Sequence, residues 1–276
     1  MFELILFLAV IISGVIILVY KFFLTEQAKQ DPEPVSLDYA KSFFPVLLIV
    51  FLLRGFVVEP FRIPSGSMLP TLEIGDFILV NKFSYGVRLP ILHTKVLDVN
   101  EPKRGDVVVF RWPGDNETSY IKRLIGLPGD KIEYREKHLY INGIQVDSHY
   151  VGGYDGENDT NNDYLLFNDT VNTGDQSSQK AAFSRILKYK SYRGGVPESW
   201  VVPEGKYFMM GDNRDNSSDS REWGFLPEEN IVGKAFFVWF HWDTSKGLSG
   251  SDISRIGSKI TAEPVENTEG IESKEN

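Results

Sequence analysis

The first part of the chain is dominated by apolar residues. Residues 4–20 form the unbroken uncharged run LILFLAVIISGVIILVY. As a helix rising ~1.5 Å per residue, the segment 2–23 would span about 30 Å, the thickness of the hydrocarbon layer of a bilayer. Glu3 precedes the run and Lys21 follows it, whereas a cleaved signal peptide has basic residues before its apolar stretch and a small-x-small site after it. The pattern therefore predicts a transmembrane anchor over residues 1–24.

A second apolar run, residues 42–58, allows two interpretations. Only residues 42–53 are uncharged, Pro45 interrupts them, and Arg54 precedes the last apolar residues. So short an uncharged stretch suits a buried core helix, but an arginine near the interface can extend its guanidinium to the headgroups and lengthen the span. We therefore expect one or two transmembrane helices, with a second span over 42–58 as the favoured interpretation.

Basic residues predict the orientation of these segments. The link 25–41 carries Lys29 and Lys41, and Lys21 ends the first run, whereas residues 1–20 contain no Lys or Arg. Because basic residues are retained on the cytoplasmic side, the link is expected in the cytoplasm. The large C-terminal part is then expected outside.

Beyond residue 58 the pattern changes to short apolar strands separated by turns. The predicted strands cover residues 77–80, 107–110, 120–127, 131–134, 139–141, 144–146, 206–210 and 234–242. Residues 59–242 therefore predict a mainly β domain. Within it, residues 147–183 are acidic and rich in Asn and Gly, and we expect an insertion of loops with a small β subdomain. Residues 243–276 contain no aromatic residue and predict a flexible tail.

Composition narrows the possible functions. A net charge of −9 argues against a nucleic-acid partner, which would need a basic patch. The absence of cysteine excludes disulfides, thiolate metal sites and a cysteine nucleophile. A calcium loop starting at Asp155 fails, because Thr160 stands where the pattern needs glycine and Leu166 where it needs glutamate. We expect no cofactor and no metal.

The stretch Pro64–Leu72, PSGSMLPTL, is a candidate nucleophile loop. Its two prolines fix φ at both ends, and Gly66 allows a close approach of the backbone. A serine on such a loop still needs a base. The four histidines, at positions 93, 138, 149 and 241, have no motif around them, and no Gly-x-Ser-x-Gly elbow occurs. A Ser-His-Asp triad is open but unsupported.

Lys122 is the alternative base, since it lies inside the apolar strand pattern Tyr120–Leu127. Burial disfavours the ammonium and can lower a lysine pKa by as much as ~3–5 units. The competing interpretation is a solvent-exposed lysine on an edge strand. A third stretch, Gly211–Arg221 (GDNRDNSSDSR), either forms a well hydrogen-bonded loop or supplies the groups that orient the lysine.

Together, SGSMLPTL, YIKRLIGLPGD and GDNRDNSSDSR behind an N-terminal anchor resemble bacterial signal peptidase I, the leader peptidase family. The resemblance implies a mainly β catalytic domain on one or two transmembrane helices, on the periplasmic side of the cytoplasmic (inner) membrane. It implies a Ser–Lys dyad protease that cleaves signal peptides from exported preproteins after small residues of the Ala-x-Ala type. Ser67 matches the nucleophile and Lys122 the general base. Ser65 matches the residue whose hydroxyl joins the Ser67 backbone N–H in the oxyanion hole.

The resemblance also implies supporting residues and partners. Ser217 would orient the lysine amine, and Asp219, paired with Arg221, would support it. Arg123 is expected to pair with Asp212. Shallow substrate pockets would be lined by Ile63, Pro64, Met68, Leu72, Tyr120 and Ile121. The expected partners are preprotein signal peptides and membrane lipid, and the chain is expected to act as a monomer near the export machinery.

Chain length is consistent with this function, and three rivals are weaker. Ser67 lies nine residues beyond Val58, so an extended chain at ~3.6 Å per residue keeps it within about 32 Å of the predicted span. Self-cleaving repressors share the Ser–Lys dyad but lack an anchor. The S-x-x-K pattern of penicillin-binding enzymes occurs at Ser177–Lys180 without a Lys-Thr-Gly partner. A membrane-tethered β scaffold would be distinguished by its failure to cleave a preprotein.

Overall fold

The computed structural model describes residues 2–22, 34–91, 94–154, 164–170, 198–244, 247 and 250–260. Predictions for residues 25–33, His93, Asp155–Asp163, Ser177–Lys180 and residues 261–276 lie outside the described residues. The chain forms two compact units, residues 1–60 with 79–101 and residues 61–78 with 102–276.

The first unit contains the two apolar helices. Helix α1 covers Phe2–Phe22, α2 covers Val35–Leu52, and a π-helical segment, Leu53–Val57, continues α2. By length and composition both helices could cross a membrane, and only 11% of each apolar window is buried. Because a core helix of a soluble protein would be mostly buried, this favours the two-span interpretation over the core helix.

Helix α2 begins earlier than the sequence predicted. It starts at Val35 rather than residue 42 and continues through Pro45. The prediction counted only uncharged residues, whereas Asp38 and Lys41 are accommodated in the first two turns of the helix. Pro34 stands at the N-cap, where its missing N–H costs no intrahelical bond.

Most of the remaining described residues form β-strands. The strands are β1 (Val58–Arg62), β2 (Asp76–Asn81), β3 (Val87–Arg88), β4 (Lys95–Leu97), β5 (Val107–Arg111), β6 (Ser119–Gly126), β7 (Lys131–Arg135), β8 (His138–Ile141), β9 (Ile144–Gln145), β10 (Asp147–Tyr154), β11 (Tyr164–Thr170), β12 (Glu198–Val201), β13 (Lys206–Met210), β14 (Leu226–Pro227) and β15 (Ile231–His241). One seven-stranded sheet has the order β1-β2-β15-β5-β6-β13-β14, and a four-stranded sheet has the order β12-β7-β8-β9. Two hairpins, β3–β4 and β10–β11, complete the described strands. The prediction of a mainly β fold is confirmed.

Strand β6 occupies the position that matters most for the site. It pairs with β5 on one side, with Lys122 opposite Val108, and with β13 on the other, with Arg123 opposite Met210. Lys122 therefore lies on an interior strand, and the edge-strand interpretation is wrong. The same pairing places the loop that follows β13 beside β6, and that loop leads into the short helix α3, Ser220–Trp223.

Beside this sheet lies an apolar core to which both larger sheets contribute. Its members are fully or almost fully buried: Ile125, Ile132, Leu139, Ile141, Val146, Val202, Phe208 and Met210. Since β6 and β13 each supply residues to this core, the strands that carry and flank Lys122 are held by packing as well as by the sheet.

The prediction of a flexible tail is wrong for residues 250–260. Backbone hydrogen bonds join this segment to β15, including one of 2.9 Å from the Val238 N–H to the Ser258 carbonyl. Arg255 reaches the buried Asp76, with Nε 2.9 Å from Oδ1 and a terminal nitrogen 2.5 Å from Oδ2. The sequence criterion was the absence of aromatic residues, but backbone bonds and an ion pair hold this segment instead.

Candidate active site

Ser67 lies on a loop that is closed at its base and anchored in the core. The Ile63 N–H donates to the Asp76 carbonyl at 2.8 Å, which closes the loop between them. The serine itself is on a 3-10 turn, Gly66–Met68. Met68 and Leu72 are completely buried, whereas Ser67 is 9% exposed. Apolar anchoring thus holds the loop while the hydroxyl stays close to the surface. Because the first N–H groups of such a turn have no intrahelical partner, the Ser67 N–H is available as a donor.

The amine of Lys122 meets this hydroxyl. Lys122 Nζ and Ser67 Oγ are 2.6 Å apart, and the lysine is only 5% exposed. Burial lowers the pKa of Lys122 from 10.5 to about 8, against the opposing effect of the negative charges of Asp219 and Asp212. A lysine with this pKa is neutral in an appreciable fraction of molecules near neutral pH, so it can accept a proton.

Two histidines have described side chains, and their contacts lie elsewhere. His241 Nδ1 is 2.7 Å from Asp76 Oδ1, and His138 Nδ1 is 3.4 Å from the amide nitrogen of Gln145. Neither contact involves Ser67, so these two residues give no support to a Ser-His-Asp triad.

Arg123 neutralises Asp212, one of the two carboxylates whose charge acts on Lys122. Its Nε and a terminal nitrogen lie 2.7 and 2.6 Å from the two oxygens of Asp212, a bidentate pair. The Thr71 hydroxyl also donates to Asp212 at 2.6 Å. The pair thereby connects strand β6, the serine loop and the loop after β13.

Arg221 neutralises the other carboxylate. Its Nε and a terminal nitrogen are 2.8 and 2.9 Å from the oxygens of Asp219, which is fully buried. Asp219 also accepts a hydrogen bond from the Gly211 N–H at 3.0 Å and caps helix α3. These bonds fix the loop between β13 and α3 from within.

Asn213 joins the serine loop to the loop after β13, and no feature of the sequence pattern singled it out. Its backbone N–H donates to the Ser67 carbonyl and its side-chain Nδ2 to the Gly66 carbonyl, both at 3.1 Å. Asn213 and Thr71 both lie inside the motifs used for the family resemblance. A polar residue in a polar motif has no periodic signal, so their contacts could not be read from the pattern.

Ser217 is not placed as expected. Its hydroxyl oxygen is buried and has no hydrogen-bond partner among the described residues, so it does not bond the Lys122 amine in this structure. The hydroxyl packs against Gly211 instead: a Cβ built on that glycine would lie 2.2 Å from Ser217 Oγ and 2.5 Å from the Ser67 carbonyl oxygen. The missing side chain of Gly211 is what allows the two loops to come together.

The residues expected to line substrate pockets divide into two groups. Ile63, Met68 and Leu72 are at most 2% exposed, so in this structure they anchor the serine loop in the core. They present almost no surface to a peptide. Pro64 is exposed, and Tyr120 and Ile121 are partly buried, as is appropriate for contact with a substrate. Ser65 is also exposed. In the part of the chain that the structure describes, no three His, Cys, Asp or Glu side chains are grouped so that they could hold a metal ion.

Comparisons with known proteins show the family of this chain. The family model for signal peptidase, peptidase S26, matches residues 36–242. Signal peptidase I of Pseudomonas aeruginosa is 48% identical over 240 residues, which cover 83% of this chain and 81% of the relative. Signal peptidase I of Buchnera aphidicola subsp. Acyrthosiphon pisum is 40% identical over 262 residues, covering 79% and 80%.

A solved structure, signal peptidase I from Enterococcus faecalis, is 29% identical and covers 50% of this chain and 98% of its own. Its TM-score of 0.30 is too low to carry a structural argument. The family match over residues 36–242 and the relatives at 48% and 40% identity establish the family. The chain belongs to the signal peptidase family, peptidase S26, and is a serine endopeptidase.

Proposed function

We propose that Ser67 and Lys122 form a catalytic dyad with which this protein cleaves signal peptides from exported preproteins. The observation that carries the proposal is the 2.6 Å contact between the lysine amine and the serine hydroxyl, both largely buried. A lysine pKa near 8 supports it, because only the neutral amine can accept the serine proton.

Acylation follows from this geometry. Ser67 Oγ attacks the scissile carbonyl carbon while its proton passes to Lys122 Nζ, and negative charge develops on the carbonyl oxygen. The Ser67 N–H and the Ser65 hydroxyl are the donors that stabilise this oxyanion. The lysine ammonium then gives its proton to the leaving amine, and the signal peptide remains attached to Ser67 as an ester.

Deacylation uses the same groups in the same order. Neutral Lys122 takes a proton from a water molecule as the water oxygen attacks the ester carbonyl. When the second oxyanion collapses, the lysine returns the proton to Ser67 Oγ, and the signal peptide leaves with a free carboxylate. Both steps need the Lys122 amine beside Ser67 Oγ, and these two atoms are 2.6 Å apart within one chain. The protein is therefore proposed to act as a monomer near the export machinery.

The surface beside the dyad supports a preference for small residues. Pro64 is exposed and Tyr120 and Ile121 are partly buried, whereas Ile63, Met68 and Leu72 are packed, so we expect only shallow substrate pockets. We expect cleavage of Ala-x-Ala sites. Peptides in which leucine or phenylalanine replaces either alanine should be cleaved with a lower kcat/KM. Equal kcat/KM for all of these peptides would contradict this specificity.

The decisive experiment is cleavage of a preprotein by the purified full-length chain. Ser67→Ala should abolish cleavage, whereas Ser218→Ala, an exposed serine of the loop after β13, should leave it unchanged. Ser65→Ala should reduce kcat by on the order of ten- to a thousandfold, the usual range for an oxyanion donor. Retained cleavage by Ser67→Ala would exclude Ser67 as the nucleophile.

We further propose that both helices span the cytoplasmic membrane, with the catalytic unit outside and preprotein and lipid as its partners. The chain has no cysteine, so in a single-cysteine variant the introduced thiol is the site on this sequence that a maleimide labels. In intact cells a membrane-impermeant maleimide should label Ser254→Cys, whose position is exposed, and should spare Gln27→Cys in the link. The reverse labelling pattern would place the catalytic unit in the cytoplasm.

A further inference from the structure

Asn213 holds the two peptide groups on either side of the Ser67 Cα. Its backbone N–H donates to the Ser67 carbonyl at 3.1 Å, and its side-chain Nδ2 donates to the Gly66 carbonyl at 3.1 Å. The residue is completely buried. One residue from a different loop thus fixes the backbone of the nucleophile on both sides.

The bond to Gly66 has a particular geometric consequence. The Gly66 carbonyl and the Ser67 N–H belong to the same peptide group, which is planar and trans, so its C=O and N–H point in opposite directions. When Asn213 binds the carbonyl, the N–H therefore points away from Asn213, within the same plane. A hydrogen bond accepted by the carbonyl also polarises the peptide group and strengthens its N–H as a donor.

We infer that Asn213 is a positioning residue for the oxyanion hole: through the Gly66–Ser67 peptide group it aims the Ser67 N–H at the developing oxyanion. The inference rests on the proposed function, in which that N–H is the main-chain oxyanion donor. Asn213 acts on the backbone and not on the dyad, since its two bonds to the serine loop end on main-chain carbonyls.

The other side-chain atom of Asn213 agrees with this role. Its Oδ1 is buried and has no hydrogen-bond partner among the described residues. A buried acceptor without a partner destabilises a protein, and such groups call for a functional explanation. Here the amide is retained for its donor, Nδ2, while its acceptor contributes nothing to the fold.

The test compares three variants of the full-length enzyme. Asn213→Ala removes the donor to Gly66 and keeps the backbone bond to Ser67, and Asn213→Asp replaces the donor by an acceptor of nearly the same shape. The matched control is Asn216→Ala, because Asn216 lies on the same loop with an exposed side chain. Thermal unfolding of each variant shows whether it is folded, and the nearly isosteric aspartate variant serves if the alanine variant is not.

The readouts separate the oxyanion from the dyad. With a peptide substrate, both Asn213 variants should lower kcat by on the order of ten- to a hundredfold, somewhat less than the loss of a whole oxyanion donor. KM should change by less than about twofold, since the ground-state carbonyl gains little from this donor. In Asn213→Ala the pH at which activity falls on the acid side should not move, because it is set by Lys122; in Asn213→Asp the added negative charge raises the pKa of Lys122, so kcat is compared on the plateau above the acid limb.

A transition-state mimic gives an independent readout. A peptide aldehyde forms a reversible hemiacetal: Ser67 Oγ bonds to the carbonyl carbon, which becomes tetrahedral, the C=O π bond breaks, and the former carbonyl oxygen occupies the position of the oxyanion while the serine proton passes to Lys122 or to that oxygen. Its affinity should fall by the same factor as kcat/KM in the Asn213 variants and stay at the wild-type value in Asn216→Ala.

Three results would overturn the inference. These are wild-type kcat in both Asn213 variants, a kcat loss with unchanged aldehyde affinity, and a kcat loss in Asn213→Ala that a shifted acid limb explains. A Ser67→Ala arm separates this failure from failure of the proposed function. If Ser67→Ala still cleaves, the dyad itself is wrong, whereas an inactive Ser67→Ala beside fully active Asn213 variants refutes only the role of Asn213.

Discussion

Replacing Lys122 by methionine should make the catalytic unit more stable at neutral pH while it abolishes cleavage. The reason is that the folded protein keeps an amine where burial disfavours its charge. Burial lowers the pKa of Lys122 from 10.5 to about 8. At pH 7 most molecules carry the ammonium in both states, but it is buried in the folded state and hydrated in the unfolded state, so its charge opposes folding. Methionine has a similar shape and no charge, so it removes the penalty.

The magnitude follows from the shift. A pKa lowered from 10.5 to about 8 corresponds to about 3 kcal/mol, at ~1.36 kcal/mol per unit. Losing the hydrogen bond to Ser67 offsets roughly 1 kcal/mol of this, which leaves a gain of about 2 kcal/mol in the free energy of unfolding.

The sign gives the gain a distinct pH dependence. Between pH 8 and 10.5 the unfolded state binds more protons than the folded state, so wild-type stability rises with pH in this window. The penalty is complete below the folded pKa and absent above the unfolded pKa. The gain from Lys122→Met should therefore be largest at pH 7 and shrink by about 3 kcal/mol as the pH rises past 10.5, so that the lost hydrogen bond leaves the variant slightly less stable than wild type there.

Denaturant unfolding followed by tryptophan emission measures this difference. All five tryptophans lie beyond residue 111, so the signal reports on the catalytic unit and not on the helices. Lys206→Met is the matched control, because this lysine is exposed and its loss should change stability by less than about 0.5 kcal/mol. The reasoning is refuted if Lys122→Met is less stable than wild type at pH 7, or if the difference does not vary with pH.

Three further predictions concern turnover and the base of the serine loop. The value of kcat/KM should rise about tenfold per pH unit up to about pH 8 and then level off; a flat profile between pH 6 and 8 would exclude Lys122 as the base. Gly211→Ala should lower kcat by on the order of a hundredfold, because its Cβ would lie 2.5 Å from the Ser67 carbonyl oxygen and displace the loop; wild-type kcat would show that the loop can move without loss. Arg255→Ala should lower the free energy of unfolding by about 3–5 kcal/mol, because it leaves the fully buried Asp76 without its guanidinium; denaturant unfolding with a loss under about 1 kcal/mol would contradict this.

The fold was predictable where apolar runs were bounded by turn residues. Strands β2 and β5 each follow a Gly-Asp turn and begin within a residue of the predicted start. The start of α2 was missed because a helix can carry Asp38 and Lys41 at its end, which a count of uncharged residues cannot allow. The order of segment 250–260 was missed because an ion pair to Asp76, distant in sequence, leaves no local pattern.

The candidate site was predictable as a set of three segments but not as a network. The sequence brought the serine loop, the Lys122 strand and the loop after β13 to attention because each carries an unusual polar motif beside an apolar run. It could not predict that Asn213 joins two of them, since that depends on which backbone carbonyls face the residue after folding. The family resemblance also implied that Ser217 orients the lysine, but its hydroxyl has no hydrogen-bond partner among the described residues, because the distance between two hydrogen-bonding groups is set by packing.

The pairing of Arg255 with Asp76 also determines when the enzyme is complete. The two residues are 179 positions apart, so at roughly 5–20 residues per second the ribosome adds the arginine some 10–40 s after the aspartate. Until then the Asp76 carboxylate, at the base of the serine loop, lacks the guanidinium of Arg255. Burying its charge is therefore unfavourable. We expect the loop to reach its final form only after Arg255 has been synthesised. A protease assembled in this order is silent on the ribosome until that residue has emerged.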